Sequence, residues 1–471
     1  MRKKNKRQIF QNIEVFDAGS KGKAIAKAPD GRVIFLQNAV PGDVVTVQTT
    51  KKRKAYFEGV ATDFHLLSDR RTTPKCKHFE SCGGCKWQHM NYESQLYFKQ
   101  REVENNLKRI GHLSLPEVQP ILRAPSEYYY RNKMEFSFSD SRWLYPEELK
   151  QQGHIEDRNA LGLHMPGMWD KVLDLDECHL QPHPSDAIRL EIKHFATKNN
   201  LPFFNPRSQT GLLRTLMIRT SSTGEIMVLI QFAKDEPEQR KLLLDHVINK
   251  FPEVTSLLYI INEKKNDTIY DQEVHCYYGR EHILESMEGL TFRINAKSFY
   301  QTNSEQAYTL YKVVREYAGL TGKELVFDLY TGTGTIALFL AKNTRKMVGI
   351  EIVPDAISAA KVNARENKIS NAEFVVGDMR SALSDQVVEE YGIPDVLITD
   401  PPREGMHKDV VAQILKMSPP RIVYVSCNSA TQARDLEMMK EDYEILRVQP
   451  VDMFPQTHHV ENVVLLEKRK V

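Results

Sequence analysis

Between positions 8 and 62, apolar and polar residues alternate in short β-branched runs, IEVFDAG, KAIAKAPDG, RVIFLQNAVPGD and VVTVQTTKKRKAYFEGVATDF, broken at Asp30-Gly31 and at Pro41-Gly42-Asp43. Short strands punctuated by turn residues predict a small β-barrel. A cysteine-bearing loop follows at about 72–95, and YESQLYFKQREVENNLKRIG then carries helical periodicity closed by Gly111. From about 120 to 295, runs such as KMEFSFS, LRTLMIRT and EIMVLIQFA predict an antiparallel sheet with helical insertions such as QRKLLLDHVINKF. From 323 onward strand and helix alternate, the pattern of a mostly parallel α/β sheet. Its predicted strands are ELVFDLY, KMVGIEI, AEFVVGD, DVLITD, RIVYVSC, YEILRVQP and NVVLLEK, with helices TIALFLAK, PDAISAAKVNARENK and KDVVAQILKM among them. Only DMFPQTHHVE separates the last two strands, too little for a crossover helix, so they are expected to be antiparallel neighbours. The expected units are a barrel at 1–62, a central mixed α+β domain with the cysteine loop at 63–295, and a seven-stranded doubly wound domain at 296–471.

At 471 residues the chain has room for about three such domains. A content of 41% hydrophobic and 27% charged residues is that of a globular protein and excludes a disordered or fibrous one. The overall net charge of +2 hides an asymmetry: residues 1–60 carry 13 Lys/Arg against 5 Asp/Glu, a net +8. A basic barrel points to a polyanionic partner. The basic N-terminus leads into polar sequence with no apolar run of signal-peptide length, and no run approaches 18 uncharged apolar residues, so neither export nor a membrane span is expected. Six cysteines are too few for a disulfide scaffold, and a reducing cytoplasm is the expected compartment.

The segment Asp328-Leu-Tyr330-Thr-Gly332-Thr-Gly334-Thr-Ile-Ala337 leaves a strand and opens a helix, and Glu351 ends the next strand 19 residues after Gly332. Glycines that admit close approach of a ligand and a carboxylate for ribose hydroxyls predict an adenosine-containing cofactor. S-adenosylmethionine, NAD and a structural glycine turn all fit that motif alone. The fourth strand narrows the choice, because it runs into Asp400-Pro401-Pro402-Arg403, a loop stiffened at the carboxyl edge where ligands bind. An amine methyltransferase would carry a stacking aromatic where Arg403 stands, which argues against amine methylation.

The fifth strand ends in Cys427-Asn428-Ser429, and the carboxyl ends of strands four and five adjoin in a doubly wound sheet. An isolated cysteine after an apolar strand is ordinarily an inert core thiol. Beside a methyl-donor pocket it has a use: C5 of uracil is too weak a nucleophile until a thiolate adds at C6, and a base must afterwards remove the C5 proton. Glu461 starts the last strand and reaches the same edge if that strand inserts beside strand five, whereas His458 and His459 have no spacing that gives them a role.

Cys76, Cys82 and Cys85 lie within ten residues, and Cys178 stands in Asp-Glu-Cys-His. That density is a metal signal, and its spacing matches no ferredoxin pattern, which favours four-cysteine zinc on the residues alone. Cys276 has no partner spacing and is expected in the core.

Taken together, Phe299-Tyr300-Gln301-Thr302-Asn303, the glycine loop, Asp400-Pro-Pro-Arg403, Ser426-Cys427-Asn428 and Glu461 resemble the RNA uracil-5 methyltransferase family, specifically its iron-sulfur ribosomal-RNA branch. The resemblance spans nearly the whole chain and implies a class I, Rossmann-like methyltransferase behind an N-terminal barrel like the TRAM or OB fold. It further implies Cys427 as nucleophile, Glu461 as base, and Gln301, Tyr330, Glu351, Asp378 and Asp400 as cofactor-binding residues. It also implies a [4Fe-4S] cluster on Cys76, Cys82, Cys85 and Cys178, against the zinc that the spacing favours. Two positions depart from the family pattern: Thr335 stands where Asn is common, and Ser429 where Pro is usual.

The expected partner is RNA, ribosomal rather than transfer RNA, bound by a monomer with its target uridine looped or flipped out. Tyr56 and Phe57 beside Lys51-Lys52-Arg53-Lys54 suit phosphate contact and base stacking. The alternatives are a transfer-RNA methyltransferase, an RNA assembly factor without activity and an NAD oxidoreductase. Cys427, Glu461 and the glycine loop together argue against the second, and Cys427 beside Asp400-Pro-Pro against the third.

Overall fold

The protein is described here from a computed structural model, whose described residues are 7–150, 157–383 and 385–470. Strands β1 (Ile9–Gly19), β2 (Lys23–Lys27), β3 (Val33–Gln37), β4 (Val44–Lys52) and β5 (Tyr56–Leu66) close into a barrel in the order β1-β2-β3-β5-β4. Alternation places Val15, Ala26, Ile34, Leu36, Val47 and Phe57 inside, and the turn carrying Lys51 to Lys54 in solvent. Asp43 is fully buried and accepts both arms of the Arg71 guanidinium, at 2.8 and 2.7 Å, which fastens the barrel to the segment after it.

The central sheet contains β6 (Lys133–Ser139), β7 (Ala160–His164), β8 (Val172–Asp174), β9 (Leu213–Thr220), β10 (Ile226–Phe232), β11 (Ser256–Ile261) and β12 (His275–Gly279), in the order β12-β11-β10-β9-β6-β7-β8. It is mixed rather than antiparallel throughout, because β10 and β11 run parallel. Their connection holds the helix Pro237–Lys250, long enough to carry the chain back to the starting edge. One face packs on that helix and on Ser185–Lys198 through Ile188, Ile192, Leu243 and Val247. The other face, with Met217, Leu229 and Leu258, shares a core with the hairpin β13 (His282–Met287) and β14 (Leu290–Asn295) and with the C-terminal sheet. Cys276 is exposed instead of lying in the core, because β12 is an edge strand whose pairing slips between Leu257 and Leu258.

The C-terminal sheet is built from β15 (Leu325–Leu329), β16 (Lys346–Glu351), β17 (Ala372–Val376), β18 (Val396–Thr399), β19 (Arg421–Ser426), β20 (Tyr443–Val451) and β21 (Glu461–Lys468). Its order is β17-β16-β15-β18-β19-β21-β20; the first five strands are parallel, and β21 inserts antiparallel between β19 and β20. Strand residues alternate between two cores, Val326, Ile398, Val423 and Val463 on one side, Phe327, Leu397, Ile422 and Val464 on the other. The second core also receives Val103 and Leu107 from the helix Tyr92–Arg109. Gly111 is needed there for closeness, since a Cβ would stand 2.8 Å from the Ala433 carbonyl oxygen.

Candidate active site

The carboxyl ends of the parallel strands meet in one crevice. After β15 the backbone is left-handed at Tyr330, Gly332 and Gly334 (φ 61°, 55° and 79°), which turns the chain into the helix Thr335–Ala341. At Gly334 a Cβ would come within 3.0 Å of Ala360 and the Phe374 ring, so glycine allows that helix to pack on the sheet. The Glu351 carboxylate accepts from the backbone N–H of Gly332 (3.2 Å), Ile352 (2.8 Å) and Val353 (3.0 Å). Beneath the loop Asp328 is buried, accepts from the Thr331 hydroxyl at 2.5 Å, and is pushed up to about 7 by burial. The Thr335 side chain is engaged by the Tyr311 hydroxyl.

Gln301 is buried beside this loop, its carbonyl accepting from Asn132 Nδ2 at 2.9 Å. Asp378 follows β17 but turns to Arg380 at 2.7 Å, and that pairing holds its carboxyl down at about 2. Ile352, Val353 and Val376 stay exposed around Glu351, a flat apolar lip suited to a planar ring. Apolar residues placed directly after strand ends, where turn residues are expected, were the sequence signal for this lip.

Asp400 follows β18, Cys427 follows β19, and Glu461 opens β21. The register Ser426↔Asn462 places Cys427 and Glu461 next to each other. Burial pushes the Glu461 carboxyl up to about 8, reinforced by Asp400 and opposed by Arg403. Burial, then Asp328, raises Asp400 to about 7. The Cys427 thiol is pushed up to about 12 by burial and then by both carboxylates, while Arg403 opposes through its charge and a hydrogen bond to the sulfur. Two high-lying carboxyls and a thiol thus surround one exposed guanidinium at this edge.

The loops carrying these groups are tied together. The N–H of Gly405 closes on the Pro402 carbonyl at 2.8 Å. The Arg403 carbonyl accepts from Asn428 Nδ2 (3.0 Å) and the Thr431 hydroxyl (3.1 Å). Ser429 takes a hydrogen bond from Asn106 Nδ2 at 2.8 Å, so side-chain bonds restrain the loop where the family pattern uses proline.

The segment 452–460 ahead of Glu461 is anchored outside its own domain. Lys99 Nζ, wholly buried, bonds Asp452 Oδ1 at 2.5 Å and the Phe454 carbonyl at 3.0 Å. The Gln456 carbonyl accepts from the N–H groups of Lys86 and Trp87, and Gln95 holds Gln456 at both its backbone N–H and its side chain. His458 and His459 lie in this segment with ring centroids 4.1 Å apart. Burial holds them down at about 3 and about 4, and the charge of Arg403 lowers both. Both are half-buried rings of the segment that leads to Glu461, His459 packing edge-on against Phe454, a placement no spacing in the chain signalled.

The cysteine loop stands directly behind that segment. Cys76, Cys82, Cys85 and Cys178 lie within one another's electrostatic reach. Burial pushes Cys82 up to about 11 and Cys85 up to about 12. Each sulfur has a hydrogen-bond donor: His78 and Phe79 N–H for Cys76, Gly84 N–H for Cys82, the Gln88 side chain for Cys85, and Leu180 N–H for Cys178. Among the described residues no three His, Cys, Asp or Glu side chains converge on a point that could hold a metal ion, and no helix is long and apolar enough to cross a membrane. A groove of about 550 Å³ at the opposite ends of the strands, walled by the Arg421–Glu467 pair, lies away from all of these groups.

Residues 264–469 match the family described as tRNA (Uracil-5-)-methyltransferase, and residues 8–62 match the TRAM domain. A Bacteroides thetaiotaomicron protein described as an uncharacterized RNA methyltransferase is 55% identical over 96% of this chain and 100% of its own length. Another from Chlorobaculum tepidum is 37% identical over 97% of this chain and 96% of its own. Among solved structures, the Pyrococcus abyssi tRNA (uracil-54, C5)-methyltransferase in complex with S-adenosyl-L-homocysteine superposes with a TM-score of 0.74 at 28% identity, covering 96% of this chain and 100% of that one. The barrel, the seven-stranded sheet and these matches agree: the chain belongs to the RNA (uracil-5-)-methyltransferase family, enzymes dependent on S-adenosylmethionine.

Proposed function

We propose that this protein methylates C5 of a specific uridine in RNA through a covalent adduct between Cys427 and C6. The observation that carries the reading is the meeting of Cys427, Glu461, Asp400 and Arg403 at one sheet edge. The Cys427 thiol gives up its proton to solvent as its sulfur, facing Arg403, adds to C6, and the electron pair displaced onto C5 forms an enolate. C5 then attacks the methyl carbon of S-adenosylmethionine, whose sulfonium leaves as neutral S-adenosylhomocysteine. Glu461 takes the proton from C5, the C5–C6 double bond re-forms and the thiolate departs. Arg403 stabilises the sulfur anion at the start and end of this cycle. Gln301, Tyr330, Glu351 and Asp400 hold the methyl donor in this reading; Asp378 has the weakest support, its carboxylate being paired with Arg380.

The four cysteines hold a [4Fe-4S] cluster in this proposal. Supporting it are their mutual proximity, their burial and the donor aimed at each sulfur, since N–H groups stabilise bound thiolate. A four-iron cluster gives each sulfur its own iron, so the ligands need not converge on one point. A cluster held by Cys76, Cys82, Cys85 and Cys178 would cross-link segments distant in sequence, and the methyl transfer would need no electron from it.

Ribosomal RNA is the proposed substrate class. Transfer RNA is the second reading, supported by the Pyrococcus enzyme, whose match covers 96% of this chain and therefore takes in the barrel. Mapping 5-methyluridine by mass spectrometry in ribosomal and transfer RNA from a strain lacking the protein decides between them. Loss of the mark in ribosomal RNA alone supports the first reading, and loss in transfer RNA alone the second.

A further inference from the structure

Residues 128–132 run from the cysteine loop past the segment ahead of Glu461 to Gln301. Tyr128 and Tyr129 face the cysteine loop, where Lys75 Nζ lies 5.0 and 4.7 Å from their ring centroids. The Tyr130 hydroxyl donates to the Pro455 carbonyl in the segment ahead of Glu461, at 2.8 Å. Arg131 lies close enough for its charge to act on His459. Asn132 bonds the Gln301 carbonyl.

Tyr129 is the unusual member. Its backbone is left-handed (φ 57°), a conformation that costs a bulky residue energy, yet its ring is 47% exposed. His179 keeps it there, accepting from the Tyr129 N–H at 2.8 Å and bonding the hydroxyl through Nδ1 at 2.8 Å. An aromatic ring held out in solvent at a strained position contributes little to a core. Around it Lys75 is exposed and Arg131 half-buried, while Glu127 is turned inward onto Gln456 and the partly exposed Glu177 carboxylate lies 3.3 Å from His179 Nε2. An exposed ring beside a half-buried one, with two cations around them, matches the chemistry of unpaired nucleic acid, with phosphates for the cations and base faces for the rings.

We propose that Tyr128, Tyr129, Lys75 and Arg131 form a stacking shelf that holds the unpaired nucleotides flanking the target uridine. The inference rests on the reading that RNA is methylated at the Cys427 crevice. A base extruded toward Cys427 leaves its neighbours unstacked, and the shelf offers them a replacement face.

The test uses the full-length enzyme, a ten-nucleotide oligouridine and a perfect RNA duplex as anisotropy probes. Tyr129→Ala and Tyr129→Gly are the variants. Glycine removes the ring and relieves the left-handed backbone, so it keeps the fold even where alanine does not. Both should weaken oligouridine binding roughly 5- to 100-fold, leave duplex and S-adenosylmethionine binding unchanged, and raise KM for RNA with kcat preserved. Tyr129→Phe should bind oligouridine within about twofold of wild type, because stacking needs the ring and not the hydroxyl. The shelf is overturned if Tyr129→Gly binds oligouridine like wild type, or if it loses S-adenosylmethionine affinity in parallel. Incubation of wild type with 5-fluorouridine RNA separates the two levels: no covalent adduct sinks the methylation reading itself, whereas an adduct with unchanged Tyr129→Gly binding sinks the shelf alone.

Discussion

Cys427 and the thiols of the cysteine loop are the same group under similar burial, raised to about 12 at Cys427 and Cys85 and about 11 at Cys82. Their surroundings diverge. Cys427 looks onto two carboxyls and one exposed guanidinium, and it stands half-buried at the carboxyl edge of the sheet. The loop thiols look onto one another and onto backbone N–H donors, with the Gln88 side chain at Cys85. Burial raises both sets alike, so the proposed division of labour rests on the neighbours: charges that can respond to an incoming substrate suit turnover, and donors around grouped sulfurs suit ligation.

The comparison breaks most sharply at Cys427 itself. Cys427→Ala should abolish turnover and the covalent RNA adduct, because C5 never becomes nucleophilic; a denaturing gel with labelled RNA reads this out, and a surviving adduct would refute the assignment. Glu461→Gln should slow turnover about 10²- to 10⁴-fold while the methylated adduct accumulates, as expected for loss of a proton acceptor after addition. Normal turnover in that variant would remove Glu461 from the mechanism.

Cys82→Ser addresses the other set. Anaerobically purified wild type should be brown with broad absorbance near ~400 nm, as expected of a thiolate-ligated iron-sulfur cluster. The variant should lose the colour and melt roughly 5–10 °C lower, as for loss of a few kcal/mol in a large domain. Stoichiometric zinc without iron in the wild type would overturn the cluster.

Acidity sharpens the contrast with a smaller effect. Asp400 and Glu461, at about 7 and about 8, ionise between pH 6 and 9, and ionisation makes the crevice negative. Affinity for cationic S-adenosylmethionine should therefore rise about tenfold from pH 6 to 8.5, while that for S-adenosylhomocysteine, with neutral sulfur, stays nearly flat by titration calorimetry. Fold stability runs the other way. Both carboxyls are raised above their unfolded values near ~4, so their contribution is complete below about pH 4 and is lost as pH rises through about 8. Glu461→Gln should flatten that decline in thermal melts.

The reach of the sequence differed between these regions for a physical reason. Parallel strands buried by helices read as apolar runs, so the five parallel strands were legible, and the short link between β20 and β21 made those two legible as antiparallel neighbours. With β21 inserted beside β19, the meeting of Cys427 with Glu461 followed by counting strand ends. The parallel pairing of β10 with β11 was not legible, because alternation specifies faces and not direction. Cys276 misled because an edge strand with a slipped register exposes residues that its apolar context suggests are buried. His458, His459 and Tyr129 carry no periodic signal, and their positions come from contacts with segments far away in the chain.

That remoteness sets the order of assembly. Gln456 joins Gln95 across 361 positions, and Lys99 meets Asp452 across 353. Contacts of such span form late, after the loop-closure entropy between them has been overcome. A chain emerging amino end first can fold its barrel early. Glu461, the proposed base, by contrast finds its station only when the final twenty or so residues arrive and clasp the first hundred, so on this proposal a nascent or prematurely terminated polypeptide is silent toward RNA chemistry however well its opening domain has formed.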